Sequence, residues 1–107
     1  MKKCKTLSDV RKNIDALDRK IVALFAERGG YVKQAAQFKK SDDEVKAPDR
    51  VAQVLEKVAG IAREVGANEE VIVAIYRAAI AGFTNLELSE HAASKKAHAE
   101  KPFDPKL

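Results

Sequence analysis

The sequence predicts an all-α fold of three helices per chain, the first of which is unusually long. Apolar residues in the first 40 positions recur at alternating spacings of three and four, which is the period of an amphipathic helix. Two shorter apolar stripes follow, with residues that favour a helix start before each and a helix end after the first of them. Five glycines and three prolines are too few for a sandwich or barrel with many turns.

The composition indicates one soluble domain. The chain has 107 residues, of which 46% are apolar, so wholesale disorder is excluded. No stretch reaches about 18 apolar residues, which predicts no membrane span. Lys2 and Lys3 imitate the start of a signal peptide, but Asp9 interrupts any apolar core, so we expect a cytoplasmic protein. Cys4 is the single cysteine and cannot form an internal disulfide.

The first helix is predicted to run from about residue 7 to 40, with Ser8 as its cap. The paired Gly29 and Gly30 cost roughly 2 kcal/mol relative to alanine inside a helix, so a break there is the rival interpretation. The apolar pattern continues in phase beyond them, which favours one helix. This apolar seam consists of Leu7, Val10, Ile14, Leu17, Ile21, Leu24, Arg28, Tyr31, Ala35 and Phe38.

Residues that favour helix starts and ends predict the bounds of the next two helices. A polar loop is predicted at residues 41–44, and Pro48 suits the first turn of the second helix. Gly66 is a plausible residue to end that helix, and Asn68 is placed to cap the third. The stripe of the second helix is Val51, Val54, Leu55, Val58, Ala62 and Val65, and that of the third includes Ile72, Ile75, Tyr76, Ala79, Ile80, Phe83 and Leu86.

The length of the first helix predicts a homodimer. A helix of about 34 residues is about 50 Å long, whereas a compact domain of about 100 residues has a radius of gyration near 13 Å. Two shorter helices cannot cover so long a seam, so we expect it to pack against its copy in an intertwined homodimeric bundle. The helical domain is predicted to span residues 1–93, and residues 94–107 form a polar, frayed tail.

Charge is unevenly distributed along the chain, whose formal net charge is +4. Residues 1–40 hold 11 basic and 4 acidic residues, a net of +7. This segment could attract an anion, although an ordinary solvated face explains the same excess.

Three charged residues lie on or next to the apolar faces of the predicted helices. Arg28 occupies the first seam and needs an anionic partner or a route to water, so it either binds a ligand or serves a structural pair. Lys39 follows 11 residues later on nearly the same face, about 16 Å along the axis. Glu87 shares the face of Ile80 and Phe83 and either forms an ion pair or contacts a ligand.

Other chemistry is poorly supported. Glu87, His91 and His98 have helical spacings that could hold a metal, but no further ligand set accompanies them, so no metal is expected. The sequence shows no glycine-rich phosphate loop and no nucleophile–base pair.

These residues, in this order on three helices, resemble the all-helical chorismate mutase family over about residues 7–91. The resemblance is strongest in Asp9-Val10-Arg11, Ile14-Asp15-Ala16-Leu17-Asp18 and Leu24-Phe25-Ala26-Glu27-Arg28. It implies an intertwined homodimer in which the partner's first helix completes each of two active sites. That expectation agrees with the length argument, which does not depend on the resemblance.

The resemblance also implies roles for single residues. Arg11 from the partner chain and Arg28 from the same chain would each bind a substrate carboxylate. Lys39 would donate to the ether oxygen of the enolpyruvyl group, and Arg50 matches a further arginine of the pocket. Glu87 falls where many members have a glutamine that donates to the same oxygen.

Two pocket positions depart from the familiar bacterial mutases. Val51 stands where an acidic residue often contacts the substrate hydroxyl, and Phe83 stands where a small polar residue often lies. The segments Tyr31-Val32-Lys33 and Phe38-Lys39-Lys40-Ser41, with Ala47-Pro48-Asp49-Arg50-Val51, look more like the isochorismate-pyruvate lyase branch, which makes salicylate and pyruvate.

The implied mutase reaction rearranges chorismate, a small dicarboxylate, to prephenate in one pericyclic step, so no cofactor is expected. Isochorismate-pyruvate lyase activity is the alternative, because the same cations serve both reactions. A non-enzymatic helical dimer that binds an acidic partner or nucleic acid is the alternative of another class. The basic residues lie on several sides of the helix, without interleaved aromatic residues, which argues against nucleic acid.

Overall fold

The structure is a computed structural model that describes the backbone of residues 1–100 and the side chains of residues 1–93. It contains four helices in chain order, which are α1 (Leu7–Ala36), α2 (Asp42–Lys46), α3 (Pro48–Val65) and α4 (Glu69–Glu100). No strand occurs within residues 1–100. The predicted all-α class with three long helices is therefore confirmed, and α2 is a short addition to it.

The chain divides into two units. The first, Met1–Tyr31, holds most of α1. The second begins at Val32 and contains the end of α1 together with α2, α3 and α4. Within the second unit, α4 packs against both α3 and α2, so this unit has a tertiary core of its own.

The start of α1 is fixed by Thr6 rather than by Ser8. The Thr6 hydroxyl accepts a hydrogen bond from the Asp9 backbone N–H at 3.1 Å. The expected Ser8 cap is wrong, because the helix begins at Leu7 and a cap must precede the first helical residue. The prediction that α1 continues through Gly29 and Gly30 is confirmed.

The end of α1 comes earlier than the apolar pattern predicts. The backbone N–H groups of Gln37, Phe38 and Lys39 donate to carbonyl oxygens three residues earlier, at 3.2, 3.0 and 3.2 Å. This tighter pattern replaces the α-helical one after Ala36, so the predicted end at residue 40 is wrong. Phe38 lies beyond the helix and is 81% exposed, and Lys39 enters the connection to α2.

The polar loop predicted at residues 41–44 is wrong, because Ser41 caps α2 and residues 42–44 form its first turn. Ser41 caps this helix, because its hydroxyl accepts a hydrogen bond from the Glu44 N–H at 3.2 Å. Val45 is the buried residue of α2. Ala47, with a left-handed φ of 34°, ends α2 and leads directly into α3.

Both ends of α3 and the start of α4 lie at the residues that the sequence predicts. Pro48 lies in the first turn of α3, and Gly66 ends it with a left-handed φ of 76°. Asn68 caps α4, since its side-chain oxygen accepts from the Val71 N–H at 3.0 Å. An ion pair between Arg63 and Glu69 spans the turn. These three predicted signals are confirmed.

The interior of the second unit is small and partly polar. Its buried apolar residues are Ala36, Val45, Val58 and Ala62. Two ionisable residues of α4, Glu87 and His91, are buried with them, at 8% and 6% exposure. This combination places polar groups where a helix of this kind normally carries apolar ones.

By length and composition alone, Glu69–Ala93 of α4 is apolar enough to cross a membrane. Length and composition of one helix are weak evidence for a span, so the expectation of no membrane span stays a prediction. Core helices of soluble proteins pass the same test, and α4 packs against α3 and α2 here.

The α4 backbone continues through Glu100, into the segment predicted as a frayed tail, and residues 101–107 lie outside the described part of the chain.

Candidate active site

Lys39 and Glu87 are in contact within the second unit. Lys39 lies in the connection between α1 and α2, and Glu87 lies on α4. The Lys39 Nζ atom is 3.6 Å from Glu87 Oε1, and the two side chains are 26% and 10% exposed. The pair is therefore mostly shielded from water, where a charge contact is stronger than at an exposed position.

The second contact of the Lys39 ammonium group comes from α2. Lys39 Nζ donates a hydrogen bond to the backbone carbonyl oxygen of Glu44 at 3.1 Å. The Glu44 carboxylate in turn accepts a hydrogen bond from the backbone N–H of Lys40. The short α2 thus holds both the side chain of Lys39 and the main chain next to it.

The main chain of Lys39 is also held from α4. The Nε2 atom of His91 lies 3.1 Å from the Lys39 carbonyl oxygen. The other ring nitrogen, Nδ1, lies 3.4 Å from Oδ1 of Asp42. Contacts from two helices therefore fix the position of Lys39, which gives the ammonium group the defined direction that a catalytic donor needs.

Glu87 has capacity for another partner. Its Oε1 atom is buried and makes no hydrogen bond among the described residues, since the 3.6 Å contact with Lys39 is an ion pair rather than a hydrogen bond. A buried polar oxygen without a hydrogen bond costs free energy, so a group that donates to it is favoured. A carboxyl in this position can accept a hydrogen bond when ionised and donate one when protonated.

Arg50 and Val51 lie in the first turns of α3. Arg50 is exposed and Val51 is half-buried. Val51 lines a groove of about 400 Å³, together with residues of both α3 and α4, namely Leu55, Arg77, Ile80, Ala81, Thr84 and Asn85. Phe83, also half-buried, lies on α4 one turn before Glu87. The roles expected for these three residues stay predictions.

The two other predicted arginines lie on α1 in the first unit. Arg11 is exposed, and Arg28 is half-buried. Their expected contacts with substrate carboxylates stay predictions. Of the predicted site residues, the structure brings Lys39 and Glu87 into direct contact.

Three contributing residues were not assigned to this site from the sequence, namely Asp42, Glu44 and His91. His91 lies four residues after Glu87, on the same face of α4, but that spacing suggests only a metal ligand. No sequence signal indicates Glu44, because it acts on Lys39 through its backbone carbonyl oxygen. Among the described side chains, no group of three or more metal-ligating residues occurs, and the His98 side chain lies outside them.

Comparison with known proteins supports a single family. Residues 10–88 match the family model for chorismate mutase type II. An isochorismate pyruvate lyase of Pseudomonas aeruginosa is 43% identical over 63 residues, which are 59% of this chain and 62% of that protein. A chorismate mutase of Methanocaldococcus jannaschii is 28% identical over 72 residues, which are 66% of this chain and 73% of that protein.

A third relative is much longer than this chain. The bifunctional chorismate mutase/prephenate dehydratase of Aquifex aeolicus is 32% identical over 85 residues, which are 76% of this chain and 24% of that protein. The chain thus spans less than two thirds of the lyase and about a quarter of the bifunctional relative. The matched residues 10–88 cover most of the chain and include Lys39 and Glu87, so the chain belongs to the chorismate mutase type II family.

Proposed function

We propose that the chain is a chorismate mutase, which rearranges chorismate to prephenate. The observation that carries the proposal is the shielded pair of Lys39 and Glu87, with its cation fixed by contacts from α2 and α4. Membership in the family supports the substrate class, and the names of two relatives include this activity.

The reaction needs orientation and charge stabilisation rather than a base or a nucleophile. In the transition state, the bond between the ring carbon and the ether oxygen breaks while a carbon–carbon bond forms between the enolpyruvyl methylene carbon and the ring. Negative charge grows on the ether oxygen. A fixed ammonium group stabilises that charge more than it stabilises the ground state, which lowers the barrier. Lys39 is the proposed donor, and its contacts with Glu44 and His91 reduce the reorganisation required when the charge develops.

Glu87 is the second proposed contact of the ether oxygen. Its carboxyl group can donate a hydrogen bond to that oxygen when protonated, and in its ionised form it pairs with Lys39. The buried Oε1 atom, which has no hydrogen bond among the described residues, supports a contact with substrate at this position.

The two carboxylates of the substrate require further cations. By the family resemblance, Arg28 binds one carboxylate, and Arg11 of the second chain binds the other. Arginine suits this task because its planar group forms two parallel hydrogen bonds to a carboxylate. Such a clamp holds the enolpyruvyl arm over the ring and lowers the entropic part of the barrier. Arg50 is a further proposed contact, and by the same resemblance Val51 and Phe83 occupy positions that line the substrate pocket in the family.

The use of Arg11 from a second chain requires a homodimer, and the apolar seam of α1 supports one. Five seam residues of the first unit are between 39% and 61% exposed in the single chain, namely Leu7, Val10, Ile14, Leu17 and Ile21. A stripe of large apolar side chains with this degree of exposure is typical of a protein–protein interface. We propose that a second copy covers the seam and that the dimer works in the cytoplasm.

Isochorismate pyruvate lyase is the second candidate activity. The specific observation in its favour is the 43% identity with a protein of that name. Val51 and Phe83 support it further, because both are expected to weaken recognition of the chorismate hydroxyl. The lyase reaction breaks the same ether bond and transfers a hydrogen to the enolpyruvyl carbon, so Lys39 has the same task in both reactions.

Product identification separates the two activities. The purified protein is incubated with chorismate and with isochorismate in separate reactions, and the products are identified by chromatography. Prephenate from chorismate is the expected result, whereas salicylate with pyruvate from isochorismate would favour the lyase. A protein that converts neither substrate, yet binds polyanions with a steep loss of affinity as salt is added, would support the non-enzymatic alternative.

A further inference from the structure

We infer that His91 is a positioning residue for Lys39, which it holds through the backbone rather than through the side chain. The inference rests on the proposed function, in which the Lys39 ammonium group donates to the substrate. His91 lies one helical turn after Glu87 on α4 and is buried, with its side chain 7% exposed. Its contacts and those of Glu87 converge on the same lysine.

The chemistry of the contact fixes which nitrogen of His91 carries a proton. A carbonyl oxygen only accepts hydrogen bonds, so Nε2, at 3.1 Å from the Lys39 oxygen, must donate. In the neutral ring, Nδ1 then carries a lone pair, which agrees with its lack of a hydrogen bond among the described residues. That lone pair faces the Asp42 carboxylate at 3.4 Å, and water screens the repulsion because Asp42 is 66% exposed. A second proton on Nδ1 would turn the contact into an ion pair. The bond from Nε2 to Lys39 is present in either form.

This hydrogen bond attaches the segment between α1 and α2 to α4. The α-helical pattern stops at Ala36, and the Lys39 carbonyl oxygen is directed to His91. The next N–H, that of Lys40, donates to Glu44, and the Lys39 ammonium group contacts the backbone of the same glutamate. Without His91, Glu87 alone among the described side chains of α4 would hold Lys39, by the 3.6 Å ion pair, for which a bound substrate competes.

The test compares two substitutions of His91 with a control on the same helix. His91→Phe keeps a ring of similar size and removes both nitrogens, whereas His91→Gln keeps an N–H donor near the position of Nε2. Glu90→Gln is the control, because Glu90 is adjacent, is 46% exposed and pairs with Lys33, outside the proposed site. All variants are compared in oligomeric state and circular dichroism before their kinetics are measured.

We expect His91→Phe to lower kcat by about tenfold to a hundredfold with little change in KM, because a small displacement of a catalytic group has an effect of this size. His91→Gln should recover most of that loss, and Glu90→Gln should match the wild type. A His91→Phe enzyme as active as the Glu90→Gln enzyme would overturn the inference. Equal losses in His91→Gln and His91→Phe would also overturn it, because they indicate a packing role.

A measurement without substrate keeps the inference distinct from the proposed function. Long-range proton–nitrogen spectra of the ¹⁵N-labelled wild-type protein show which ring nitrogen of His91 carries a proton, and a His98→Gln variant assigns the two histidines. We expect a proton on Nε2 that exchanges slowly with water; a neutral ring with its proton on Nδ1 would contradict the inference. If the wild type converts neither substrate, the proposed function fails, whereas this spectrum still tests the bond to Lys39.

Discussion

The Lys39 ammonium group lies 3.6 Å from the Glu87 carboxylate, although 48 positions separate the two residues in the sequence. Two charged side chains that the helical pattern places at unusual positions are thus brought together by the fold. Either charge would be costly at this shielded position without the other, because an isolated buried charge has no partner to replace water. Their pairing gives each a partner and leaves one buried carboxylate oxygen with further capacity to bind.

Glu87→Gln is expected to retain or raise the turnover of chorismate, whereas Glu87→Leu is expected to lower it by about tenfold or more. Glutamine has nearly the shape of glutamic acid and presents an N–H donor to the ether oxygen, whereas leucine presents none. The measurement is kcat for the wild type and both variants under one condition in which all three are folded. Equal kcat values for Glu87→Leu and the wild type would mean that Glu87 does not contact the reacting oxygen.

The protein is expected to be an obligate homodimer. Analytical ultracentrifugation should give twice the chain mass of 11.7 kDa at micromolar concentration. Ile21→Asp, which places a charge in the exposed seam of α1, should dissociate or unfold the protein, because the seam would no longer bury apolar surface. Arg19→Asp introduces the same charge on the opposite side of the helix and should leave the dimer intact. A folded wild-type monomer at this concentration would contradict the prediction.

Mixed dimers test whether two chains share a site. Arg11→Ala and Arg28→Ala should each lose most activity, since each removes a charge-assisted contact with a carboxylate, and every tenfold in rate corresponds to about 1.4 kcal/mol. Unfolding the two variants together and refolding them should restore activity, because each mixed dimer then has one site with both arginines. Lack of recovery from a refolded mixture, with full recovery of wild type treated in the same way, would rule out the shared site.

Asn68→Ala is expected to destabilise the protein by about 1 kcal/mol, the usual cost of losing a helix cap. The side chain of Asn68 satisfies the Val71 N–H at the start of α4, and alanine cannot. Asn68→Asp keeps the acceptor and should retain the wild-type stability. Denaturant unfolding at one fixed protein concentration measures the difference, since the stability of a dimer depends on concentration. Equal midpoints for all three proteins would show that this cap contributes nothing.

Much of the helical architecture could be predicted from the sequence, because apolar periodicity and helix-end residues are local signals. Pro48, Gly66 and Asn68 mark their helix ends correctly. The end of α1 could not be predicted in this way, since Phe38 continues the apolar pattern in phase while the backbone has already left the helix. That departure coincides with tertiary contacts of Lys39 with α2 and α4, which no local pattern encodes.

The candidate site shows the same division. Lys39 and Glu87 could be selected because each interrupts or borders an apolar stripe, and the resemblance gave both a role. The support that holds Lys39 was not predictable, because Glu44 and His91 contact it through backbone carbonyl groups. Such contacts depend on where the chain passes and not on a recognisable pair of side chains.

The central claim is that Lys39 is the cation that stabilises the transition state, and one kinetic comparison tests it most directly. Lys39→Ala is compared with Lys33→Ala. Lys33 lies on α1, is 52% exposed and pairs with Glu90 of α4. For chorismate turnover, we predict that Lys39→Ala lowers kcat/KM by about a hundredfold or more, since loss of such a donor costs several kcal/mol, whereas Lys33→Ala stays within about threefold of wild type. A Lys39→Ala enzyme that is folded, dimeric and as active as Lys33→Ala would contradict the account.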